Sequence, residues 1–214
     1  MINKEDQDNL FMLIANNLKE DVECIAFGGT AMMYLQYKNA TKDIDLFFSD
    51  DSQRNIFINA IEKLGYSKKN ILKSVYPIKK AEQKNAPVMY TRGDVERFDL
   101  FSESIFQTQI TQTIQSRAKQ IRDYNKKYQL RIKVISPEDL VLLKSVTSRE
   151  RDLEDVEVIV NNTDNFSWKI VITEAKAQKE SWTLLDVEET MQKVKNSVFI
   201  KKAEWKLLDN YVSQ

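Results

Sequence analysis

GGTAMMYLQYKNATKDIDLFF, residues 28–48, is the stretch on which the fold turns. The run Val22 to Phe27 before it is short, apolar and β-branched, and reads as a buried strand. Gly28-Gly29-Thr30 interrupts that run, and Ala31–Gln36 then takes helical spacing. Asp43–Phe48 alternates polar and apolar before turning wholly apolar, as a strand does. Two glycines between strand and helix let the backbone approach a phosphate closely and aim its N–H groups at it. The helix that starts there adds its positive dipole end. Asp43 and Asp45, two apart on a strand, leave the same face roughly 6.5–7 Å apart along it. Such carboxylates repel each other unless a cation lies between them. Magnesium suits the position, since it takes one or two carboxylates together with substrate phosphate oxygens.

Outward from this stretch, residues 5–18 read as an amphipathic helix. Asp50 or Asp51 caps a second helix through Leu64, and Gly65 is the left-handed residue that ends it. Val88–Thr91 and Val95–Phe101 flank Arg92-Gly93-Asp94, a hairpin turn. Asp99 lies between apolar neighbours in Arg97-Phe98-Asp99-Leu100-Phe101. If that strand pairs beside Asp43–Phe48, three carboxylates converge on the glycine loop. Two metals about 3.5–4 Å apart could then clamp an in-line phosphoryl displacement. Asp94 lies close by as the alternative third carboxylate.

Residues 104–128 are polar and show no clear period, and Leu130–Ile135 is a further strand. Ser136-Pro137-Glu138-Asp139 announces a helix, with serine as cap, proline first and an acid third. Beyond it every strong signal is helical, with caps expected at Asp164 or Asn165 and near Thr183. The expected fold is α+β: a mixed sheet with flanking helices over residues 1–135, then a helical region over 136–214 packed on that core.

Composition narrows the chemistry. The 214 residues include no histidine, one cysteine (Cys24) and four glycines. Without histidine there is no Ser–His or Cys–His pair and no His-ligated zinc. One cysteine excludes an internal disulfide framework. Catalysis is left to carboxylates, lysines, hydroxyls and hard metals, and Asp99 is the natural general base for an attacking hydroxyl. Lys+Arg and Asp+Glu are both 32, so the chain is neutral overall. Residues 63–84 and 117–133 each carry a net charge of +6. Either these are solvated faces or they form a basic wall for a phosphate-rich ligand or nucleic-acid acceptor. The longest uncharged apolar stretch, Cys24–Leu35, has 12 residues, fewer than the ~18 a membrane span needs. The N-terminus lacks a signal pattern. A cytoplasmic protein without membrane attachment is expected.

The quoted stretch resembles the signature of the nucleotidyltransferase superfamily, the polymerase-beta-like fold, where a Gly-Gly or Gly-Ser opens a helix and Asp-x-Asp follows on a strand. SPEDLVLLKSVTSRERDLEDVEVI, residues 136–159, resembles the segment closing that core in the AbiEii-like branch of abortive-infection and toxin–antitoxin proteins. The resemblance implies a nucleotidyltransferase-type mixed sheet and transfer of a nucleoside monophosphate from an NTP to an acceptor, with pyrophosphate released. It implies that Gly28, Gly29 and Thr30 hold the triphosphate. Asp43, Asp45 and Asp99 would be the catalytic carboxylates and bind magnesium, two ions being expected. Lys144 matches the lysine of the later motif and would reach nucleotide phosphate; a lysine snorkelling from a helix surface is the other reading. Arg149, Asp152 and Asp155 match that motif's charged positions, or else form an exposed ion-pair ladder. The acceptor is expected to be a tRNA or a protein, with an antitoxin as a further partner. The alternative is a catalytically inactive relative that binds nucleotide or a partner.

Overall fold

The computed structural model describes residues 1–69, 87–93, 96–147, 149–179 and 182–213. Most of the basic segment 63–84, and Asp94, lie outside the described residues. The chain divides into two compact units. One comprises Met1–Phe106 with Ile110–Ile135; the other comprises Gln107–Gln109 with Ser136–Gln214.

The first unit is α+β. After β1 (Ile2–Asn3) come α1 (Lys4–Asn17), β2 (Val22–Ala26), α2 (Gly28–Tyr34), β3 (Ala40–Thr41) and β4 (Asp43–Phe48). Then follow α3 (Asp51–Lys63), β5 (Ser67–Lys68), β6 (Val88–Arg92), β7 (Glu96–Ser102) and β8 (Ser104–Ile105). Past β9 (Thr108–Gln109), which belongs to the other unit, the first unit closes with α4 (Gln112–Arg117), β10 (Lys119–Asn125) and β11 (Gln129–Val134). Seven strands form one mixed sheet in the order β10-β11-β2-β4-β7-β6-β5. Its centre decides function: β2 runs antiparallel to β4, and β4 runs parallel to β7.

Alternation along these strands sorts the two faces. Phe48 and Phe98 stack on Phe57 of α3, with ring centroids 5.3 and 5.6 Å apart. Ile44, Leu46, Phe98 and Leu100 are therefore the core side, and all are fully buried. Burying side chains of this size stabilises the unit by roughly 1.5–3 kcal/mol each. Asp43, Asp45, Arg97 and Asp99 are consequently turned to the opposite face. Asp50 caps α3 by accepting from the Gln53 N–H at 2.8 Å, and Gly65, at φ +86°, follows the C-cap Leu64 at the end of that helix.

The second unit is helical, with β9 as its only strand among the described residues. Its helices are α5 (Pro137–Ser145), α6 (Glu150–Asn161), α7 (Trp168–Ala177), α8 (Trp182–Val194) and α9 (Lys202–Val212). Ser136 caps α5 by accepting from the Asp139 N–H at 3.1 Å. Gln109 joins this unit through Gln178: its N–H donates to Oε1 at 2.8 Å, and its carbonyl accepts from Nε2 at 3.3 Å. Caps expected at Asp164 or Asn165 are corrected. Asn165 takes a left-handed turn at φ +57°, and α7 starts three residues later, with Ser167 at its N-cap position. No helix among the described residues is long and apolar enough to cross a membrane.

Candidate active site

The glycine pair lies where it does because β2 runs antiparallel to β4. Ala26 pairs with Leu46, so the next residue, Phe27, donates its N–H to the Asp45 carbonyl at 3.2 Å. The chain leaving β2 thus runs alongside the start of β4, and the helix begins at Gly28 itself rather than at Ala31. Gly28 has φ +56°, and a Cβ added there would sit 2.4 Å from Asp45 Oδ2. Both observations call for glycine. A Cβ on Gly29 would sit 2.4 Å from Thr41 Oγ1.

Thr30 fastens the helix to the strand. Its fully buried hydroxyl accepts from the Asp45 N–H at 3.0 Å and donates to the Asp43 carbonyl at 3.3 Å. Thr41 Oγ1 donates to the same carbonyl at 3.1 Å. Two hydroxyls and one N–H therefore fix the backbone of the Asp-Ile-Asp segment relative to Gly28 and Gly29.

The parallel β4–β7 register sets Asp45 opposite Asp99 and Asp43 opposite Arg97. Alternation brings all four side chains to one face. Asp99 is wholly buried, while Asp43 and Asp45 are half-buried at the rim. Arg97 joins the carboxylates. Its Nε donates to Asp99 Oδ1 at 2.9 Å, and its Nη2 lies 3.1 Å from Asp99 Oδ2 and 2.6 Å from Asp43 Oδ2. The sequence motifs assign nothing to Arg97. Its signal was the Arg-x-Asp spacing, which puts both side chains on one face of a strand.

Among the described residues no three carboxylates close on one point as a finished metal cage. Magnesium does not require one, since it keeps waters and takes substrate phosphate oxygens alongside one or two carboxylates. The donors here are hard oxygens, three carboxylates on one face, beside a backbone where no Cβ fits. The residue set fits magnesium.

Lys144 lies in the helical unit. Its ammonium contacts Asp152 Oδ1 at 2.9 Å and Asp155 Oδ2 at 2.6 Å, and all three side chains are buried. Thr147 Oγ1 donates to Asp152 Oδ2, and the Arg149 Nε contacts the same oxygen at 2.8 Å. Burial pushes the Asp152 carboxyl up, but Lys144, Thr147 and Arg149 outweigh it and hold the group below its ordinary value. Asp152 and Asp155 are thus not part of an exposed ladder. They face α5, on which every residue from Asp139 to Ser145 is buried. Cys24 is buried in β2, where burial pushes its thiol well up.

In the basic segment 117–133, several cations already have acids. Arg131 contacts Glu23 and Asp123, each at 3.3 Å, and Lys133 contacts Glu23 at 2.6 Å. Arg122 lies 3.7 Å from Asp8. Lys119, Lys126 and Lys127 are exposed.

Residues 8–206 match the model of a family described as nucleotidyltransferase of unknown function (DUF6036). None of the curated proteins matches the chain. Among solved structures, ANT(2")-Ia in complex with adenylyl-2"-tobramycin is similar at 13% identity. That match covers 97% of each chain with a TM-score of 0.43.

Proposed function

The chain belongs to this nucleotidyltransferase family, and on that premise we propose that it moves a nucleoside monophosphate from an NTP to an acceptor hydroxyl, with pyrophosphate leaving. The observation that carries this reading is the approach of Gly28 to Asp45, at a helix start with no room for a Cβ, on the face that also bears Asp43 and Asp99. The N–H groups of Gly28, Gly29 and Thr30 bind the triphosphate. Asp43, Asp45 and Asp99 hold magnesium, two ions in this reading, which when bound neutralises charge on the transferring phosphoryl group. Asp99 accepts the proton of the attacking hydroxyl only if one of its oxygens leaves the Arg97 fork. Thr30 keeps the Asp-Ile-Asp backbone in register with the glycine loop. Lys144 serves as a phosphate contact only if its ammonium leaves Asp152 and Asp155.

The proposed acceptor is a tRNA or a protein, in a toxin–antitoxin or abortive-infection setting of the AbiEii-like kind, with an antitoxin protein as partner. Exposed Lys119, Lys126 and Lys127 support a nucleic-acid acceptor. Incubation with α-labelled NTPs, magnesium and a panel of tRNA, proteins and aminoglycosides tests the reaction. Label should appear covalently on one acceptor; no transfer to any, with no magnesium-dependent NTP binding, rejects it.

A second reading, a relative that binds nucleotide without transferring it, is favoured by one observation. Arg97 already supplies a cation to Asp43 and Asp99. NTP binding without turnover across the same panel distinguishes it.

A further inference from the structure

We propose that Arg97 is a positioning residue that acts as the resident counter-cation of the carboxylate site, competing with divalent metal for Asp43. The inference rests on the reading of that face as a metal and nucleotide site.

The placement follows from β geometry. Arg97 and Asp99 are two apart on β7 and share a face, and the register sets Arg97 across from Asp43. The guanidinium forks onto both oxygens of Asp99, while Nη2 is shared with Asp43. Only one-fifth of the Arg97 side chain is exposed, and none of Asp99. A fully buried carboxylate beside two others needs a positive partner, since desolvation and like charge both oppose ionisation. Planar bidentate pairing is what arginine provides and lysine does not.

The same geometry limits metal binding. Asp43 Oδ2 lies 2.6 Å from Nη2, so an ion taking that oxygen shares it with the guanidinium and meets its positive charge at close range. Asp99, whose two oxygens both meet the fork, is held in place meanwhile. Arg97 therefore keeps the carboxylates positioned when metal is absent and weakens binding of a bare ion. Triphosphate oxygens, as added ligands, then tip the balance toward metal entering with nucleotide.

Mn2+ titration of the full chain without nucleotide, read by the EPR signal of the free ion, tests this. Thermal unfolding with and without Mn2+ accompanies it. An opposite charge nearby shifts ionic equilibria by about 10- to 1,000-fold. Arg97→Gln should therefore bind Mn2+ at least about tenfold more tightly than wild type. It should also melt at a lower temperature without Mn2+, with the difference restored by the ion. A merely structural arginine would lower both stability and affinity. Arg97→Lys keeps the charge but loses the fork, so its affinity should fall between the two; it decides the matter where Arg97→Gln does not fold. Native-like variants with unchanged or weaker Mn2+ affinity overturn the inference while wild-type binding of Mn2+-ATP leaves the proposed reaction standing. Absence of Mn2+ binding in the wild type, with or without ATP, overturns both.

Discussion

Gly28→Ala separates a structural turn from a working site. An alanine at φ +56° costs about 1–2 kcal/mol of backbone strain. Its Cβ would lie 2.4 Å from Asp45 Oδ2 and 2.9 Å from Cγ, where ordinary contact begins at 3.4 Å. The Asp45 carboxylate must retreat by about 1 Å, with overpacking adding about 1–3 kcal/mol. A displacement of that size at a reacting centre lowers rate by roughly 100-fold. Gly93→Ala is the matched control: φ is +63°, but nothing lies within 4 Å of the added carbon, so strain acts alone. Chemical denaturation should show Gly28→Ala destabilised by about 2–5 kcal/mol and Gly93→Ala by about 1–2 kcal/mol. In calorimetric titration with Mg-ATP, Gly93→Ala should bind as wild type does and Gly28→Ala should lose binding. Equal damage from both, or normal Mg-ATP affinity in Gly28→Ala, refutes the reasoning.

Thr30→Val removes the hydroxyl that holds the Asp45 amide and the Asp43 carbonyl, and should cost about 1–3 kcal/mol in denaturant unfolding, with weakened Mg-ATP binding. Lys144→Met leaves Asp152 and Asp155 buried without their shared cation, and should destabilise the chain by about 3–5 kcal/mol at neutral pH. That loss should narrow in acid, where the wild type itself loses the stability tied to its lowered Asp152 carboxyl; a loss independent of pH contradicts the ion-pair account. Burial, and then Glu189, push the Asp186 carboxyl up to about 6. Its folded value is raised, so the stability associated with its protonated form is complete below about pH 4 and is lost as pH rises through about 6. Asp186→Asn should therefore be more stable than wild type at pH 7 by on the order of 1 kcal/mol after solvent screening, and no more stable than wild type at pH 4, as denaturant unfolding at the two pH values checks.

How much of this was readable beforehand differs from residue to residue. Alternation in Asp43–Phe48 and in Arg97–Phe101 was visible, because period 2 is a local property. That Asp99 sits opposite Asp45, 54 positions away, is a register, and no single strand states its own partner. Arg97 shows the consequence: its face could be read from Arg-x-Asp, but its hold on Asp43 appears only once β4 and β7 are side by side. Gly28 and Gly29 marked a turn, yet the reason for glycine is an approach to Asp45 and Thr41 that the β2–β4 pairing creates. In the helical unit, Arg149, Asp152 and Asp155 carry the spacing of a surface ladder and Lys144 reads as a surface lysine, yet Lys144, Asp152 and Asp155 are buried. Their burial follows from α5 being enclosed on all sides, which charge spacing does not encode. Residues 104–128 gave no period because they hold four short elements, two of them two-residue strands, and a strand with a register shift.

Magnesium-dependent NTP binding, measured by calorimetry on the wild type and on Asp45→Asn, tests the central claim most directly, since it requires no knowledge of the acceptor. The account predicts NTP binding that needs magnesium in the wild type and is lost in a natively folded Asp45→Asn. NTP bound equally well without divalent ion, or with undiminished affinity by Asp45→Asn, would contradict it.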